Sequence, residues 1–535
     1  MSGMRGNAFS SPERWPSLAA ALLAYARPRR WFRAKGREPR EARLRDLIAL
    51  DDTNVLTLLE IDFASGGTEL YAIPLASLER AALRRLTEAG AGPALEVIGE
   101  EAGQDRPREG DGPGVWVDGM LVPGQAADAL LKLLRGGGRL AGRMGGALVA
   151  HRLPGLSALE GVVLPVAKIP RVEQTNSIAI FGERVLLKVY RQLTAGPNPE
   201  QEVGEFLNRR CDPPCTARVL GALTYEAADR TACSVALAHE YLANEGDAFS
   251  FMLERLRGYF DRVAALPAPG PTLDPIAATA LAAFDPLAAR LGRRTGELHL
   301  ALASAPPDDR EFAPEPLSAG DRAALAARVE AMLRDQLDAL SGALPRLTPA
   351  ARALAGRLLA TQARQAISRR LKEFRDRGLA VVKTRTHGDL HLGQVLVRGQ
   401  DDFVIIDFEG EPARPLDERR AKGSPVRDVM GMVRSFSYAP EVLLRDPAFI
   451  DAGSRDGDRL GPWADLWKTR VTGAYLRSYR DTVGAAPFLP VAPDDLTVMT
   501  TFYELEKVIY EIGYEVNNRP DWVEIPLRGL AALVS

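Results

Sequence analysis

Two segments in the C-terminal half of the sequence carry the residue types best suited to chemistry. The first is HGDLHLGQ (387–394), in which Asp389 lies in a Gly-Asp turn and Gln394 follows five positions later. The second is FVIIDFEG (403–410), in which Asp407 ends a β-branched, apolar run. Two carboxylates at the ends of paired strands are compatible with a metal site, an acid/base pair or ordinary turn residues.

The order of these groups favours phosphoryl transfer. His387 and Gly388 would shape a tight turn that presents Asp389 to an attacking hydroxyl group. Gln394 supplies an amide oxygen, and Asp407 a carboxylate, for a cation that prefers oxygen ligands. Base, amide ligand, strand and metal carboxylate occur in this order in kinases of the eukaryotic type, where H-R-D-x-x-x-x-N precedes D-F-G. We therefore predict Asp389 as the catalytic base, Gln394 and Asp407 as Mg²⁺ ligands, and ATP as the phosphoryl donor.

A kinase of this plan also needs a strand lysine paired with a helix glutamate, and the sequence offers both. Lys188 lies in VLLKVY, the second strand of a predicted hairpin whose turn is at 181–184. The next helix opens with NPEQE, in which an asparagine N-cap precedes a proline in the first turn. We predict Glu202 as the partner of Lys188, with Glu200 as the second choice.

The segment that would cover the nucleotide phosphates departs from the glycine-rich loop of protein kinases. Its place at the hairpin entry is taken by QTNS, whose side chains and backbone N–H groups can bind phosphate oxygens. The glycine cluster at 135–147 lacks the G-K-[ST] ending of a P-loop, and no hydrophobic strand leads into it. Besides Lys188 and Glu202, the predicted nucleotide-binding residues are Gln174, Thr175, Asn176, Ser177, Glu240 and Tyr241.

The elements around these residues predict a bilobal α+β protein. Residues 15–95 contain a helix and a β-hairpin, NVLTLLEIDF and TELYAIPL around a Gly-rich turn. The Gly/Pro-rich, charged stretch 99–114 is the best linker candidate, and long amphipathic helices dominate beyond 246. We predict a eukaryotic-like kinase fold in three parts, an N-terminal subdomain (1–105), a β-rich N-lobe (106–243) and a mostly helical C-lobe (244–535).

Composition excludes several classes of function. The chain has 535 residues, 46% of them hydrophobic and 26% charged, which predicts a soluble protein of two or three domains. A net charge of −2 without a lysine or arginine block argues against nucleic acid or a membrane as partner. No apolar run reaches membrane-spanning length. The three cysteines lack zinc-ligand spacing and the N-terminus lacks a signal peptide, so we expect free thiols in a reducing cytoplasm.

Several segments resemble bacterial maltokinases, which phosphorylate maltose with ATP to give maltose 1-phosphate. They are THGDLHLGQVL, IIDFEGEPARPLDERRAKGSPVRDVMGMVRSFSYA and ELEKVIYEIGYEVNNRPDWVEIPLRGL, and RWFRAKGRE resembles part of the family's N-terminal cap subdomain. The resemblance covers all lobes and is densest in 384–440 and 502–530. It implies an aminoglycoside-phosphotransferase-like kinase fold, with Asp389 as base and Mg²⁺ on Gln394 and Asp407. Apparent insertions lie near 99–114 and 304–350.

The tail helix offers residues suited to binding a sugar. One of its faces carries three tyrosines and a lysine spaced by four, three and four positions, apart from an apolar stripe. Tyrosine rings can pack on pyranose rings, although the same pattern also fits an ordinary helix interface. The resemblance implies that Lys507, Tyr510 and Tyr514 bind maltose. The predicted substrate-binding residues are His391, Glu409, Tyr503, Lys507, Tyr510 and Tyr514.

We predict phosphorylation of maltose at its anomeric hydroxyl, in metabolism leading from trehalose to glycogen. Trehalose synthase is a further expected partner, because maltokinases are often found fused to it. The nearest alternative is the same chemistry on glucosamine, since four glutamates make the tail helix acidic and would suit a cationic sugar, namely Glu504, Glu506, Glu511 and Glu515. A second alternative is a non-catalytic, nucleotide-binding regulator. The sequence argues against it, because every expected catalytic position is occupied by a suitable residue.

Overall fold

The computed structural model describes residues 12–88, 95–100, 114–170, 174–211, 215–399, 402–412, 414–450 and 457–534. The chain divides into two compact units. The N-terminal unit comprises residues 1–209 and 217–243, and the C-terminal unit comprises 210–216 and 244–535. The predicted linker lies outside the described residues over 101–113, and so does the start of the predicted 171–190 hairpin, 171–173.

The first sheet of the N-terminal unit is antiparallel, with strand order β1-β2-β3-β5-β4. Its strands are β1 (Pro39–Ala49), β2 (Asn54–Phe63), β3 (Thr68–Leu78), β4 (Gly99–Glu100) and β5 (Val115–Asp118). Helix α1 (Trp15–Ala26) precedes the sheet, and α2 (Arg80–Glu88) follows β3. Apolar side chains of α1, of the segment after it and of β1–β3 form one buried core, which includes Leu22, Phe32 and Tyr71.

The second sheet of this unit has the order β6-β7-β11-β12-β9-β8 and is also antiparallel. Its strands are β6 (Arg139–Ala141), β7 (Ala147–Arg152), β8 (Asn176–Phe181), β9 (Val185–Tyr190), β11 (Val219–Glu226) and β12 (Ala232–Glu240). Helices α3 (Ala126–Gly136) and α4 (Pro199–Asn208) belong to the same unit. Strand β10 (Gln192–Leu193) pairs with β3 and so connects the two sheets. The predicted β8–β9 hairpin and the helix capped by Asn198 are both present.

The C-terminal unit is mostly helical. Its helices are α5 (Ala248–Val263), α6 (Pro275–Ala282), α7 (Asp285–Leu302), α8 (Ala319–Ala343), α9 (Pro349–Leu359), α10 (Thr361–Asp376), α11 (Leu416–Arg420), α12 (Val426–Leu444), α13 (Pro447–Ile450), α14 (Gly457–Val483), α15 (Pro493–Asn518) and α16 (Glu524–Val534). Two short strand pairs complete it, β13 (Glu315–Pro316) with β14 (Val382–Lys383), and β15 (Val395–Arg398) with β16 (Asp402–Ile405). Helix α15 packs against α8, α10 and α12, which makes it a central element of this unit.

Strand β1 is not predicted from the sequence, because PREARLRDLIA is too charged to suggest a strand. It lies at the edge of the first sheet, where its outward side chains remain in solvent. Arg43 forms ion pairs with Glu60 and Asp62 on the neighbouring strand β2. Cross-strand pairs of opposite charge stabilise a sheet, and they become visible only once the register is known.

The expectation of three free thiols is wrong for two of them. Cys211 and Cys215 form a disulfide, while Cys233 is free and buried. The four-residue separation of the pair is compatible with a bond between Cα atoms 5.8 Å apart. Among the described residues, every helix is too short or too polar to cross a bilayer.

Candidate active site

The turn that carries Asp389 is held by the first turn of α12. Asp428 accepts hydrogen bonds from the backbone N–H of His387 at 2.7 Å and of Gly388 at 2.9 Å. Gly388 has a φ of +85°, a conformation that favours glycine. His387 is buried, and its Nε2 lies 2.8 Å from the carbonyl oxygen of Ile406. The turn is therefore fixed from two sides.

Two further residues of α12 approach the same turn. Arg427 donates from Nη1 to the carbonyl oxygen of Gly388 at 2.7 Å. Gly431 lies so close to the turn that a Cβ atom on it would stand 2.5 Å from the carbonyl oxygen of Leu390. Helix and turn leave no room for a side chain between them, so the placement of Asp389 depends on this contact.

Asp389 forms an ion pair with a lysine of α15. Lys507 donates from Nζ to Oδ1 of Asp389 at 3.0 Å, and the two side chains are only 15% and 21% exposed. Burial acts to raise the pKa of Asp389, but the Lys507 ammonium and the nearby His391 lower it more, so that this pKa lies well below its ordinary range. Asp389 is therefore ionised at neutral pH, as a general base must be.

Gln394 and Asp407 meet at the ends of the β15–β16 hairpin. Gln394 donates from its side-chain Nε2 to Oδ2 of Asp407 at 2.9 Å. The backbone N–H of Ile406 donates to the backbone carbonyl oxygen of Gln394 at 2.9 Å. Asp407 has a φ of +69°, and strained non-glycine residues of this kind cluster at functional sites. A carboxylate beside an amide fits Mg²⁺ when the amide turns its oxygen toward the ion.

Lys507, Tyr510 and Tyr514 lie together on one face of α15. The rings of Tyr510 and Tyr514 stack with their centroids 6.4 Å apart, and the Lys507 ammonium lies 5.1 Å from the Tyr510 ring centroid. Tyr514 is 45% exposed, whereas the other two are half-buried. The result is an aromatic surface with a polar end, and that end reaches Asp389 through Lys507.

The prediction that Tyr503 faces the sugar is wrong. Its ring is 2% exposed and packs edge-on against Phe502 at 5.1 Å and Phe374 at 6.0 Å. One turn before Lys507 the same helix face is covered by α10, so Tyr503 belongs to the core of the unit. Sequence spacing identifies a shared helix face but not how far along the helix that face stays open.

His391 lies near both predicted functional carboxylates. Burial lowers the pKa of His391, and this effect outweighs the opposing influence of Asp389 and Asp407. Its Nδ1 accepts a hydrogen bond from the Gly393 N–H at 3.0 Å. Glu409 is half-buried two residues beyond Asp407. The roles of His391 and Glu409 in substrate binding stay predictions.

An arginine cluster around the tail helix is not predicted from the sequence. Glu506 is 3% exposed and lies within 3.3 Å of guanidinium nitrogens of Arg328, Arg414 and Arg427. Burial acts to raise the pKa of Glu506, but the three guanidinium groups lower it to about 2. The arginines come from three separate segments, so no local motif could have indicated the cluster.

Two more of the tail glutamates are neutralised by arginine. Glu511 pairs with Arg434 at 2.8 Å, and Glu515 pairs with Arg519 at 2.7 Å. The acidic appearance of the tail sequence therefore does not produce an equally acidic surface. This weakens the sequence argument for a cationic sugar.

In the N-terminal unit, Lys188 forms the predicted ion pair with a helix glutamate, but the partner is Glu200, which was the second choice. Lys188 on β9 lies 2.7 Å from Oε2 of Glu200 on α4, and both side chains are almost fully buried. Tyr190 donates to the same oxygen at 2.7 Å. The preference for Glu202 is corrected to Glu200, because residues two positions apart on a helix point in nearly opposite directions.

The other predicted nucleotide-binding residues lie at strand ends of the same unit. Gln174 and Thr175 are exposed, while Asn176 and Ser177 begin strand β8 and are half-buried. Glu240 ends strand β12 and is exposed, and its N–H donates to the Arg218 carbonyl oxygen at 2.8 Å. The Tyr241 N–H donates to the Arg184 carbonyl oxygen at 3.0 Å. Their roles in binding nucleotide stay predictions.

Comparison with known proteins shows that this chain is similar to kinases. Residues 268–463 match the model of the phosphotransferase enzyme family (APH). The chain is 26% identical over 368 residues to a glucosamine kinase of Mycolicibacterium smegmatis (strain ATCC 700084 / mc(2)155), over 68% of this chain and 78% of that protein. It is 28% identical over 149 residues to a glucosamine kinase of Streptacidiphilus jiangxiensis, over 28% of this chain and 31% of that protein.

The solved structures extend the similarity to the fold. A solved glucosamine kinase in complex with glucosamine, ADP and inorganic phosphate aligns over 97% of this chain and 99% of its own, with a TM-score of 0.58 and 21% identity. A second crystal form gives a TM-score of 0.61 with 22% identity. The predicted kinase fold class is confirmed by this agreement. The comparisons do not single out maltokinases among kinases of this fold.

Proposed function

We propose that this protein transfers the γ-phosphoryl group of ATP to the anomeric hydroxyl of maltose, giving maltose 1-phosphate and ADP. The observation that carries the proposal is the contact between Asp389 and Lys507, because it joins the predicted base to the helix that bears Tyr510 and Tyr514. A cytoplasmic location and an association with trehalose synthase are parts of this proposal that rest on the sequence alone.

The proposal assigns two tasks to the C-terminal unit, which are to accept the proton of the sugar hydroxyl and to orient the sugar for attack. The anomeric oxygen forms a bond to the γ-phosphorus while the bond from that phosphorus to the β–γ bridging oxygen breaks, and ADP leaves. Asp389 accepts the hydroxyl proton late in a loose transition state, so that positioning and charge neutralisation supply most of the rate. Bound at Gln394 and Asp407, Mg²⁺ would neutralise phosphate charge.

The nucleotide side of the proposal uses residues of the N-terminal unit. Lys188 would neutralise charge on the phosphates, and Glu200 fixes its ammonium group by the 2.7 Å ion pair. The QTNS segment, Gln174 to Ser177, would supply hydroxyl, amide and N–H donors to phosphate oxygens.

Glucosamine is the second candidate acceptor, favoured by the similarity of this chain to glucosamine kinases. Electrostatics favours a neutral sugar instead. Three of the four tail glutamates are already paired with arginines, namely Glu506, Glu511 and Glu515. A sugar ammonium placed at Asp389 would also be repelled by the Lys507 ammonium, which lies 3.0 Å from that carboxylate.

A sugar panel tests the choice of acceptor. Release of ADP is measured with ATP, Mg²⁺ and maltose, glucosamine or glucose, and phosphorus NMR locates the phosphate on the product. We expect kcat/KM for maltose to exceed that for glucosamine by at least about tenfold, which corresponds to roughly 1.4 kcal/mol of discrimination. A preference for glucosamine would select the second candidate. Absence of transfer to any sugar, with nucleotide still bound, would select the regulator.

The substitution Asp389→Asn tests the assignment of the base. Loss of general-base catalysis is expected to lower kcat by about 10²–10⁴-fold, while ATP binding measured by calorimetry stays close to that of the parent protein. Asp465→Asn is the matched control, because Asp465 is 76% exposed and pairs only with Lys468 among the described residues. Unchanged turnover in the Asp389 variant would remove the assignment.

A further inference from the structure

A buried ion pair lies in the N-terminal unit beside the connection between its two sheets. Arg191 Nη2 lies 2.8 Å from Oδ2 of Asp118, and the two side chains are 1% and 2% exposed. Arg191 separates β9 from β10, and its carbonyl oxygen accepts a hydrogen bond from the Ala72 N–H of β3 at 2.8 Å. Arg191 therefore lies where the chain passes from the second sheet, at Tyr190, to the first sheet, at Gln192.

One side of this ion pair is contacted by the N-terminal segment of the chain. Tyr25, near the end of α1, donates from its hydroxyl to Oδ2 of Asp118 at 2.9 Å. Trp31 lies under the Arg191 guanidinium, 5.3 Å from ring centroid to Cζ. The position of Arg191 is thus set partly by residues of the first helix and the loop that follows it.

The other side of the ion pair reaches the predicted nucleotide segment. Arg191 donates from Nε to Oγ of Ser177 at 2.7 Å. Beside these atoms is a cavity of about 50 Å³, whose walls include Gln174, Asn176 and Ser177. Arg191 also lines this cavity, and within the described part of the chain its Nη1 is buried without a hydrogen-bond partner.

The direction of the Arg191–Ser177 hydrogen bond has a chemical consequence. A serine hydroxyl has one O–H donor and two acceptor lone pairs. Because a guanidinium can only donate, Ser177 must accept from Arg191, and its own hydrogen is turned to another acceptor. A phosphate oxygen is such an acceptor. The ion pair therefore prepares Ser177 to act as a donor.

We propose that Arg191 is a positioning residue for Ser177 in nucleotide binding, and that Tyr25 of α1 controls it through Asp118. The proposal rests on the proposed function, in which the Gln174–Ser177 segment binds ATP phosphates. The series Tyr25–Asp118–Arg191–Ser177 gives the N-terminal helix an effect on nucleotide affinity without any contact between that helix and the nucleotide.

The substitutions Tyr25→Phe and Ser177→Ala test the proposal, since each removes one hydroxyl and leaves the buried ion pair in place. The readout is KM for ATP at saturating sugar, KM for the sugar at saturating ATP, and kcat. We expect each variant to raise KM for ATP by about five- to tenfold, the effect of one lost hydrogen bond, while KM for the sugar is unchanged. Loss of fold stability alone would not separate the two KM values.

Tyr225→Phe is the matched control. Tyr225 is also buried in the N-terminal unit, and its hydroxyl donates to Oδ2 of Asp46 at 3.1 Å, outside the series. We expect this variant to keep both KM values of the parent protein. Equal effects of Tyr25→Phe and Tyr225→Phe on KM for ATP would overturn the proposal.

A double-mutant cycle tests whether Tyr25 acts through Ser177. If it does, adding Tyr25→Phe to Ser177→Ala raises KM for ATP no further, whereas independent effects would multiply and contradict the series. Calorimetric binding of ATP to the parent protein without sugar distinguishes a failure of the control by α1 from a failure of the proposed function. Binding by the parent with no change in Tyr25→Phe overturns the control by α1 alone. No binding and no turnover by the parent overturns the proposed function as well.

Discussion

At the scale of single residues, the pair Asp389–Lys507 determines the charge that a substrate meets. A carboxylate with this little exposure would by itself tend to take up a proton, because burial disfavours its charged form. The Lys507 ammonium reverses that tendency and keeps the pKa of Asp389 low. The same contact places a positive charge where the acceptor hydroxyl is expected, which is the physical argument for a neutral sugar.

The substitution Lys507→Met is expected to change the pH dependence of turnover. Without the ammonium, burial raises the pKa of Asp389, so the base is lost by protonation at a higher pH than in the parent. The ratio of kcat/KM at about pH 6 to that at about pH 8 should therefore fall in the variant. Lys468→Met, at a lysine exposed on α14, should leave the ratio unchanged. A parent-like ratio in Lys507→Met would show that the lysine does not control the base.

At the scale of elements, α12 positions the catalytic turn by direct backbone contact. Gly431→Ala would insert a methyl group 2.5 Å from the Leu390 carbonyl oxygen, so the turn must move. A shift of the Asp389 carboxylate by about 1 Å is expected to lower kcat by about 10- to 100-fold. Gly356→Ala on α9 is the control, because a Cβ there meets nothing within 4 Å. Equal kcat in the two variants would argue against positioning by α12.

Helix α15 provides a matched pair of substitutions for stability. Glu506→Gln removes the charge shared by Arg328, Arg414 and Arg427, and should lower the free energy of unfolding by about 3–5 kcal/mol. Glu504→Gln should have little effect or stabilise the fold, because burial raises the pKa of Glu504 and disfavours its charged form. Urea unfolding at neutral pH compares the two, and similar losses would contradict the role of the arginine cluster.

The pH dependence of stability follows from the same glutamate. The pKa of Glu506 is lowered to about 2 in the folded state, against about 4.3 for an unfolded chain. Its contribution is therefore complete above about pH 4.3 and is lost as pH falls toward about 2. Between about pH 4.3 and pH 2, the free energy of unfolding should therefore fall less in Glu506→Gln than in the parent protein.

At the scale of the whole molecule, the proposed function assigns a role in phosphoryl transfer to residues of each of the two units. The N-terminal unit supplies Lys188 and Glu200, and the C-terminal unit supplies Asp389, Gln394 and Asp407. A ligand that binds only the folded protein stabilises it by an amount that rises with the logarithm of the ligand concentration relative to Kd. Nucleotide should therefore raise the melting temperature of both units.

Calorimetric melting with ATP, with and without Mg²⁺, checks this expectation. At a hundredfold excess over Kd the gain in stability is about 2.7 kcal/mol. In Asp407→Asn the additional effect of Mg²⁺ should disappear, whereas Asp465→Asn should retain it. An undiminished Mg²⁺ effect in Asp407→Asn would place the metal elsewhere.

The sequence by itself determined the local parts of this protein. The Asp389 turn, Gln394 and Asp407 belong to one short hairpin region, so their order and spacing fix their relation without the rest of the fold. The β8–β9 hairpin with Lys188 and the Asn198 cap of α4 were predictable for the same reason, because turn and cap signals act over a few residues.

The tertiary structure decided what depends on residues far apart in the chain. It replaced Glu202 by Glu200 as partner of Lys188, buried Tyr503 under α10, and brought arginines from three segments to Glu506. The same holds for the series from Tyr25 to Ser177, whose members come from four separate segments. Side-chain burial and long-range ion pairs arise from packing, and packing is set by how elements meet rather than by the spacing within any one of them.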